Sequence, residues 1–104
     1  MIVDPDKQKV KLEELKEVSN PKLVKKRAKD IYNADVFAST RKGKKYMIWN
    51  GMKWIHFGSI MYQDWTKHQD PIRRESYLKR ASNIKGKWKE DPYSPNFLAI
   101  NLLW

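Results

Sequence analysis

The sequence predicts an α+β fold, a small single domain in which a central β-hairpin or short antiparallel sheet is packed by helices. Apolar β-forming runs on both sides of Asn50-Gly51 predict the hairpin, and helical spacing of apolar residues after Asn20-Pro21 and Asp70-Pro71 predicts two helices. A chain of 104 residues is long enough for one hydrophobic core. We therefore expect a helical N-terminal segment, residues 1–35, and a basic α+β core domain, residues 36–104.

The N-terminal segment contains two predicted helices. Residues 7–18 place apolar side chains three apart among Lys and Glu, which predicts a narrow amphipathic helix. The second helix is predicted to start after the cap residue Asn20, because proline suits the first helical position, and to continue to Asn33. A short strand is expected to begin at Val36.

The hairpin is predicted for residues 45–58, because Asn50-Gly51 tolerates the positive φ angles of a tight turn. A two-residue turn would place three pairs on one face: Trp49 with Met52, Met47 with Trp54, and Lys45 with His56. The other face would carry Tyr46, Ile48, Ile55 and Phe57. Since both faces are apolar, the ribbon is either sandwiched between other elements or keeps one face open as a stacking platform; burial is the favoured interpretation.

Positive charge is concentrated in one half of the chain. The formal net charge is +10, and residues 41–90 hold 13 basic and 4 acidic side chains, whereas residues 1–40 hold 9 and 7. Such a directed positive field predicts an anionic partner. The chain has no cysteine, which excludes disulfides and a thiol nucleophile, and it has no apolar run long enough to span a membrane. An acidic start argues against a secretory signal, so secretion and membrane insertion are not expected.

The basic residues of the second half lie among aromatic residues, a combination that suits phosphates and bases. A helix from Asp70-Pro71 to about Ser82 is predicted to carry Arg73 and Arg80 along one margin, beside Tyr77. The predicted nucleic-acid-binding residues are Arg41, Lys42, Lys44, Lys45, Lys67, Arg73, Arg74, Arg80, Lys85, Lys87 and Lys89. An ordinary solvated face is the alternative explanation of these charges.

An enzyme is not predicted. The polar residues Asp64, His68, Asp70 and Glu75 lack the spacing of an established metal or catalytic motif, and the four glycines form no phosphate-binding loop. We expect Asp70 to cap the next helix instead. No catalytic residue, metal or cofactor is therefore assigned.

The last residues are too apolar to remain in water. Ser94 and Pro95 suit a helix start, and the tail ends in Leu102, Leu103 and Trp104. This tail is expected either to close the domain's own core or to dock into a second subunit.

Several short runs together resemble a family of small basic, uncharacterised proteins encoded by large double-stranded DNA viruses and some tailed phages. The runs are Ser39–Tyr46, His56–Gly58, Asp64–His68, Arg73-Arg74 with Tyr77-Leu78, Asp91–Asn96 and Asn101–Trp104. The resemblance covers residues 36–104 and implies a viral source, a place in the virion or the interior of the infected cell, and a role in the particle. It supplies no catalytic residue.

Two functions are consistent with these observations. The first is non-enzymatic binding of nucleic acid, expected to be DNA, through phosphate contacts in genome packaging or virion structure. The second is a minor structural protein of the virion or capsid that acts through protein–protein contacts. The first is favoured because net +9 over residues 41–90 exceeds what protein docking usually needs.

Overall fold

The computed structural model describes residues 3–104, which form a three-stranded antiparallel sheet with helices before and after it, an α+β fold as predicted. In chain order the elements are α1 (Pro5–Leu15), α2 (Pro21–Tyr32), β1 (Val36–Ala38), β2 (Lys44–Trp49), β3 (Trp54–Ser59), α3 (Trp65–His68), α4 (Pro71–Ser82) and α5 (Pro95–Leu98). A 3-10 turn at Trp88–Glu90 precedes α5, and a π-helical turn at Ala99–Leu103 follows it.

A polar cap followed by proline begins each of the long helices. The side chains of Asn20 and Asp70 accept hydrogen bonds from backbone N–H groups in the first turns of α2 and α4, which confirms both predicted starts. Helix α1 differs from its predicted range, because Asp4 caps it and it begins at Pro5. It ends at Leu15 rather than at residue 18.

The sheet has the order β1-β2-β3, with the predicted short strand at one edge. The side-chain amide of Gln8 on α1 exchanges two hydrogen bonds of 2.8 Å with the backbone of Ala38. These bonds satisfy the outward-facing backbone groups of Ala38, which would otherwise be open to pairing with another chain at this edge.

The hairpin is present, but its predicted two-residue turn is wrong. Trp49 pairs with Trp54, so four residues connect the strands, and the side chain of Asn50 accepts hydrogen bonds from Met52 and Lys53 within that loop. The register is shifted by two residues, and side chains alternate with a period of two, so Tyr46, Ile48, Ile55 and Phe57 still share one face. Gly51 has the expected positive φ, +99°.

The outer face of the sheet is filled by aromatic side chains of its own strands. Phe37 and Trp49 both pack edge-on against Trp54, with ring centroids 5.6 and 5.5 Å apart. Met47 is buried on this face, whereas Trp49 remains 38% exposed. The opposite face of the sheet lies on the main core.

The core includes residues from both predicted segments. Leu15, Val24 and Ala28 from the first two helices meet the inner face of the sheet and the end of the chain. The tail residues Leu98, Leu102, Leu103 and Trp104 are all buried in this core. Of the two expectations for the tail, closure of the domain's own core is the one observed.

Candidate functional site

A groove of about 570 Å³ runs between α4, the end of β3 and the π-helical turn. Its floor is formed by small or apolar residues, including Gly58, Ala81 and Leu103. Gly58 has a φ of +80°, and a side chain there would lie 2.8 Å from Leu103 Cδ1. Glycine at this position therefore permits both the backbone conformation and the close packing of the floor.

One wall of the groove carries two of the predicted site residues, Arg73 and Arg80. They are seven residues apart on α4, which is two helical turns, or about 10.5 Å along the axis. Among the residues that line the groove in the described part of the chain, none is Asp or Glu. Glu75 belongs to the same helix but lies on its other side by helical geometry. The two guanidinium groups therefore face the groove with no Asp or Glu side chain among the described residues that line it.

The other walls of the groove are aromatic and aliphatic. Tyr77 stacks on Trp104, with ring centroids 4.1 Å apart and planes at 9°. Tyr62, in the segment after β3, also lines the groove and is 68% exposed. Ile72 and Ile84 line it at the two ends of α4, and both are exposed. The site thus combines positive charge with an accessible ring and apolar contacts.

Lys45 also reaches the groove, but its charge is already paired. Its Nζ donates to Asp64 Oδ2 at 3.0 Å, and both side chains are almost fully buried. Burial lowers the pKa of Lys45, and the neighbouring Asp64 carboxylate opposes that shift. Asp64 in turn accepts from Thr66 Oγ1, which lies 3.2 Å from Ser19 Oγ in a buried polar network. We therefore exclude Lys45 from the predicted phosphate ligands, because a buried, paired ammonium group is not presented to solvent.

Arg74 has a positioning role that the sequence did not reveal. Its Nε donates to the backbone oxygen of Trp104 at 2.7 Å, and its guanidinium lies 4.3 Å from the centre of the Trp65 ring. Arg74 therefore holds the tail against α3 and so helps to position the Tyr77–Trp104 stack.

The loop between β1 and β2 borders the groove. Lys44 pairs with Ser59, which lines the groove, and Ile60 N–H donates to the Gly43 carbonyl. Arg41 and Lys42 are exposed in this loop. The positive surface therefore continues from the groove onto the loop.

The loop is held in place by a residue that the sequence did not single out. Lys11 Nζ, from α1, donates to the carbonyl oxygens of Ser39 and Lys44. His56 Nδ1 lies 2.6 Å from Ser39 Oγ. Burial lowers the pKa of His56, and the cations Arg41, Lys11 and Lys44 lower it further.

The remaining predicted cations are exposed on either side of α4. Lys67 belongs to α3, which precedes it, and Lys85, Lys87 and Lys89 belong to the segment that follows. Trp88 anchors that segment, because its Nε1–H donates to the Ile84 carbonyl at 2.7 Å. Lys85, Lys87 and Lys89 thus continue the positive charge beyond the end of the groove at Ile84.

The carboxylates and histidine that the sequence groups together have separate structural contacts. Asp64 pairs with Lys45, and Asp70 accepts from backbone N–H groups at the start of α4, as predicted. The His68 Nδ1 accepts from the backbone N–H of Asp70 at 2.9 Å. Within residues 3–104, no three His, Cys, Asp or Glu side chains are grouped as they would need to be to hold a metal.

Sequence reasoning missed most of the apolar groove. The helical repeat predicts that one side of the helix carries Arg73, Tyr77 and Arg80. Tyr62 could not be added from its spacing, since it lies in an irregular segment and reaches the groove only through the packing of the chain. Ile72 and Ile84 lie near the same side of α4 as the arginines. A helical wheel of the predicted helix indicates Ile72, and the same wheel extended past Ser82 indicates Ile84.

Residues 34–81, just under half of the chain, match the profile of a family of unknown function (DUF5754). The matched region contains the sheet, the loop between β1 and β2, and most of α4. No curated protein and no solved structure matches the chain significantly. In the described part of the chain, no helix has the length and apolar character needed to span a membrane.

Proposed function

We propose that this protein is not an enzyme and that it binds nucleic acid through phosphate contacts, without strong sequence preference. The observation that carries the proposal is the pair Arg73 and Arg80, which line one groove with no Asp or Glu among its described lining residues. A guanidinium group offers paired donors that match phosphate oxygens, and its charge is retained at neutral pH. An anion in the groove would therefore pair with two cations that have no Asp or Glu beside them among the described lining residues.

Further cations extend this surface in both directions. We define the basic surface as Arg41, Lys42, Lys44, Arg73, Arg80, Lys85, Lys87 and Lys89. Contacts of this kind neutralise phosphates and release counterions, which produces affinity without reading the base sequence. Lys67 stays a candidate for the edge of the surface, whereas Lys45 and Arg74 are excluded by their contacts within the protein.

The sequence resemblance of residues 36–104 to small basic proteins of large double-stranded DNA viruses extends the proposal to a biological setting. On that basis we propose a viral source, DNA as the nucleic acid, and genome packaging or virion structure as the role. A protein that holds an enclosed genome needs affinity for any sequence, which phosphate contacts provide.

A second candidate function is docking to other virion proteins. It is supported by exposed apolar side chains at and near the groove, including Met61, Ile72 and Ile84. Exposed apolar residues that line a groove are typical of protein-interaction sites. Co-purification with capsids emptied of DNA would favour this candidate over the first.

The test is a salt titration of labelled duplex and single-stranded DNA with the parent protein and two double variants. Arg73→Ala with Arg80→Ala removes the two groove charges, and Lys22→Ala with Lys25→Ala removes two exposed charges on α2, outside the groove. We expect the arginine variant to weaken binding to unrelated duplexes equally and to reduce the logarithmic salt slope by about 1.8. The lysine variant should change the slope much less.

Two results would contradict the proposal. One is absence of binding to either form of DNA at low salt. The other is equal behaviour of the two double variants, which would mean that net charge and not the groove determines the affinity. Thermal unfolding of both variants provides the control for correct folding.

A further inference from the structure

We infer that the groove beside α4 accepts one unstacked nucleobase, so that the preferred ligand is a single-stranded nucleic acid. This inference rests on the proposed function and specifies its ligand. It is drawn from the exposed Tyr62 ring, the Tyr77–Trp104 stack and the two arginines that line the same groove.

The size and lining of the groove suit a planar ligand. Its volume of about 570 Å³ lies within the range of small-molecule pockets, and its lining is mostly apolar with a few polar groups. A base in a duplex is stacked and paired, so it would have to be flipped out at a cost of a few kcal/mol before it could enter. A single strand avoids most of this cost.

Tyr62 provides an available stacking surface. Its side chain is 68% exposed, and among the described residues no other ring or cation packs on its ring. Tyr77, by contrast, already stacks on Trp104. Stacking on an aromatic side chain tolerates every base, because every base has a π face. Tyr62 therefore supplies affinity without sequence preference.

The arginines suit the backbone that would accompany the base. Arg73 and Arg80 lie two helical turns apart, and Ser76 lies on the same wall between them. A nucleotide carries a phosphate on each side of its sugar, so a strand running along α4 would place phosphates near both guanidinium groups. The Ser76 hydroxyl, between the two, is available to the sugar or to a base edge.

An acidic amphipathic peptide is the main competing ligand, since Ile72 and Ile84 would suit aliphatic side chains and the arginines would suit carboxylates. The exposed Tyr62 ring favours the nucleotide, because a base stacks on an aromatic ring whereas an aliphatic side chain does not. Tighter binding of such a peptide is one of the outcomes that the test distinguishes.

The test measures binding of an oligothymidylate and of the matching adenine–thymine duplex by fluorescence anisotropy at several salt concentrations. Tyr62→Ala removes the ring, and Tyr62→Phe is the matched control that keeps it. We expect Tyr62→Ala to weaken binding of the oligothymidylate roughly tenfold, to leave duplex binding unchanged and to leave the salt slope unchanged. Tyr62→Phe should bind as the parent does. Because Tyr62 is exposed, both variants are expected to fold.

The possible failures of the two proposals can be told apart. If neither DNA binds, the proposed function fails. If both DNAs bind and depend on Arg73 and Arg80, but Tyr62→Ala affects neither or affects both equally, the inference fails and the proposed function stands. A peptide of alternating Leu and Glu residues tests the competing ligand. If this peptide binds more tightly than the oligothymidylate, and Tyr62→Ala weakens its binding to the same degree, the groove is assigned to a protein partner.

Discussion

Positive charge has different roles at the floor and on the wall of the same groove. At the floor, Lys45 is buried and its Nζ lies 3.0 Å from the Asp64 carboxylate. On the wall, Arg73 and Arg80 are exposed, and no Asp or Glu lines the groove beside them in the described part of the chain. The floor therefore uses charge to hold the protein together, whereas the wall leaves charge available to a ligand.

This difference shows why a net charge of +10 does not by itself define a binding surface. A buried ammonium group needs its partner, because an unpaired charge at low dielectric is very costly. An exposed guanidinium group is solvated and contributes little to folding. Substitutions at the floor should therefore lower stability, and substitutions on the wall should lower binding.

The largest expected effect is on the floor and comes from removal of residues 102–104. These residues include Leu102 and Leu103, which are buried in the core, and Trp104, which stacks on Tyr77. Loss of two buried leucines and an indole should cost about 5 kcal/mol or more, so the truncated protein should lose its cooperative thermal transition. A cooperative transition near the parent's midpoint would show that the tail does not close the core.

The next largest effect is expected when a cation is removed from the floor, and it is compared with removal of a cation from the wall. Lys45→Met leaves the Asp64 carboxylate buried without its cation, and the free energy of unfolding should fall by about 3–5 kcal/mol. Arg80→Met makes the same chemical change on the exposed wall and should alter stability by less than about 0.5 kcal/mol. Denaturant titration measures the free energy of unfolding of both variants. Similar losses in the two variants would contradict the comparison, and adding Asp64→Leu to Lys45→Met should restore part of the loss.

A smaller effect is expected from a methyl group added to the floor. Gly58→Ala places a Cβ at a positive φ and 2.8 Å from Leu103 Cδ1, which should cost about 2 kcal/mol. Gly51→Ala is the matched control, because its φ is also positive but the space around it is open. It should cost about 1 kcal/mol, from the backbone conformation alone. Equal costs, measured by chemical denaturation, would mean that the floor is not tightly packed.

The smallest effect is a pH dependence at the edge of the floor, where His68 packs on Trp104. Burial, together with Arg73 and Lys45, lowers the pKa of His68 below its ordinary 6.5, although Asp70 and Asp64 oppose the shift. Because the unfolded chain then binds the proton more readily, the free energy of unfolding should decrease as the pH falls through about 6.5.

The control for this prediction is the other histidine, since the pKa of His56 is lowered in the same direction. His68→Gln should remove part of the pH dependence, and the double variant with His56→Gln should remove more. Denaturation curves between about pH 7.5 and about pH 5.5 test this. An unchanged pH dependence in His68→Gln would exclude His68 as a contributor.

Local interactions explain the elements that could be predicted. The caps of α2, α4 and α5 each form between residues only two or three positions apart, so the sequence shows them directly. The same is true of Arg73 and Arg80, which share a helix side because of the helical repeat. The faces of the hairpin were also correctly divided, because the error in register was two residues and the strand period is two.

Contacts between residues far apart in the chain determined the features that the sequence does not show. The sequence by itself determined the starts of α2, α4 and α5, the strands, the division of the sheet into two faces and the uneven distribution of charge. Only the tertiary structure decided which cations are structural, because Lys45 meets Asp64 across 19 residues and Arg74 meets Trp104 across 30. Spacing along the chain carries no signal for such pairs. They depend on which surfaces are brought together when the core closes, and the same packing places Tyr62 beside the arginines of α4.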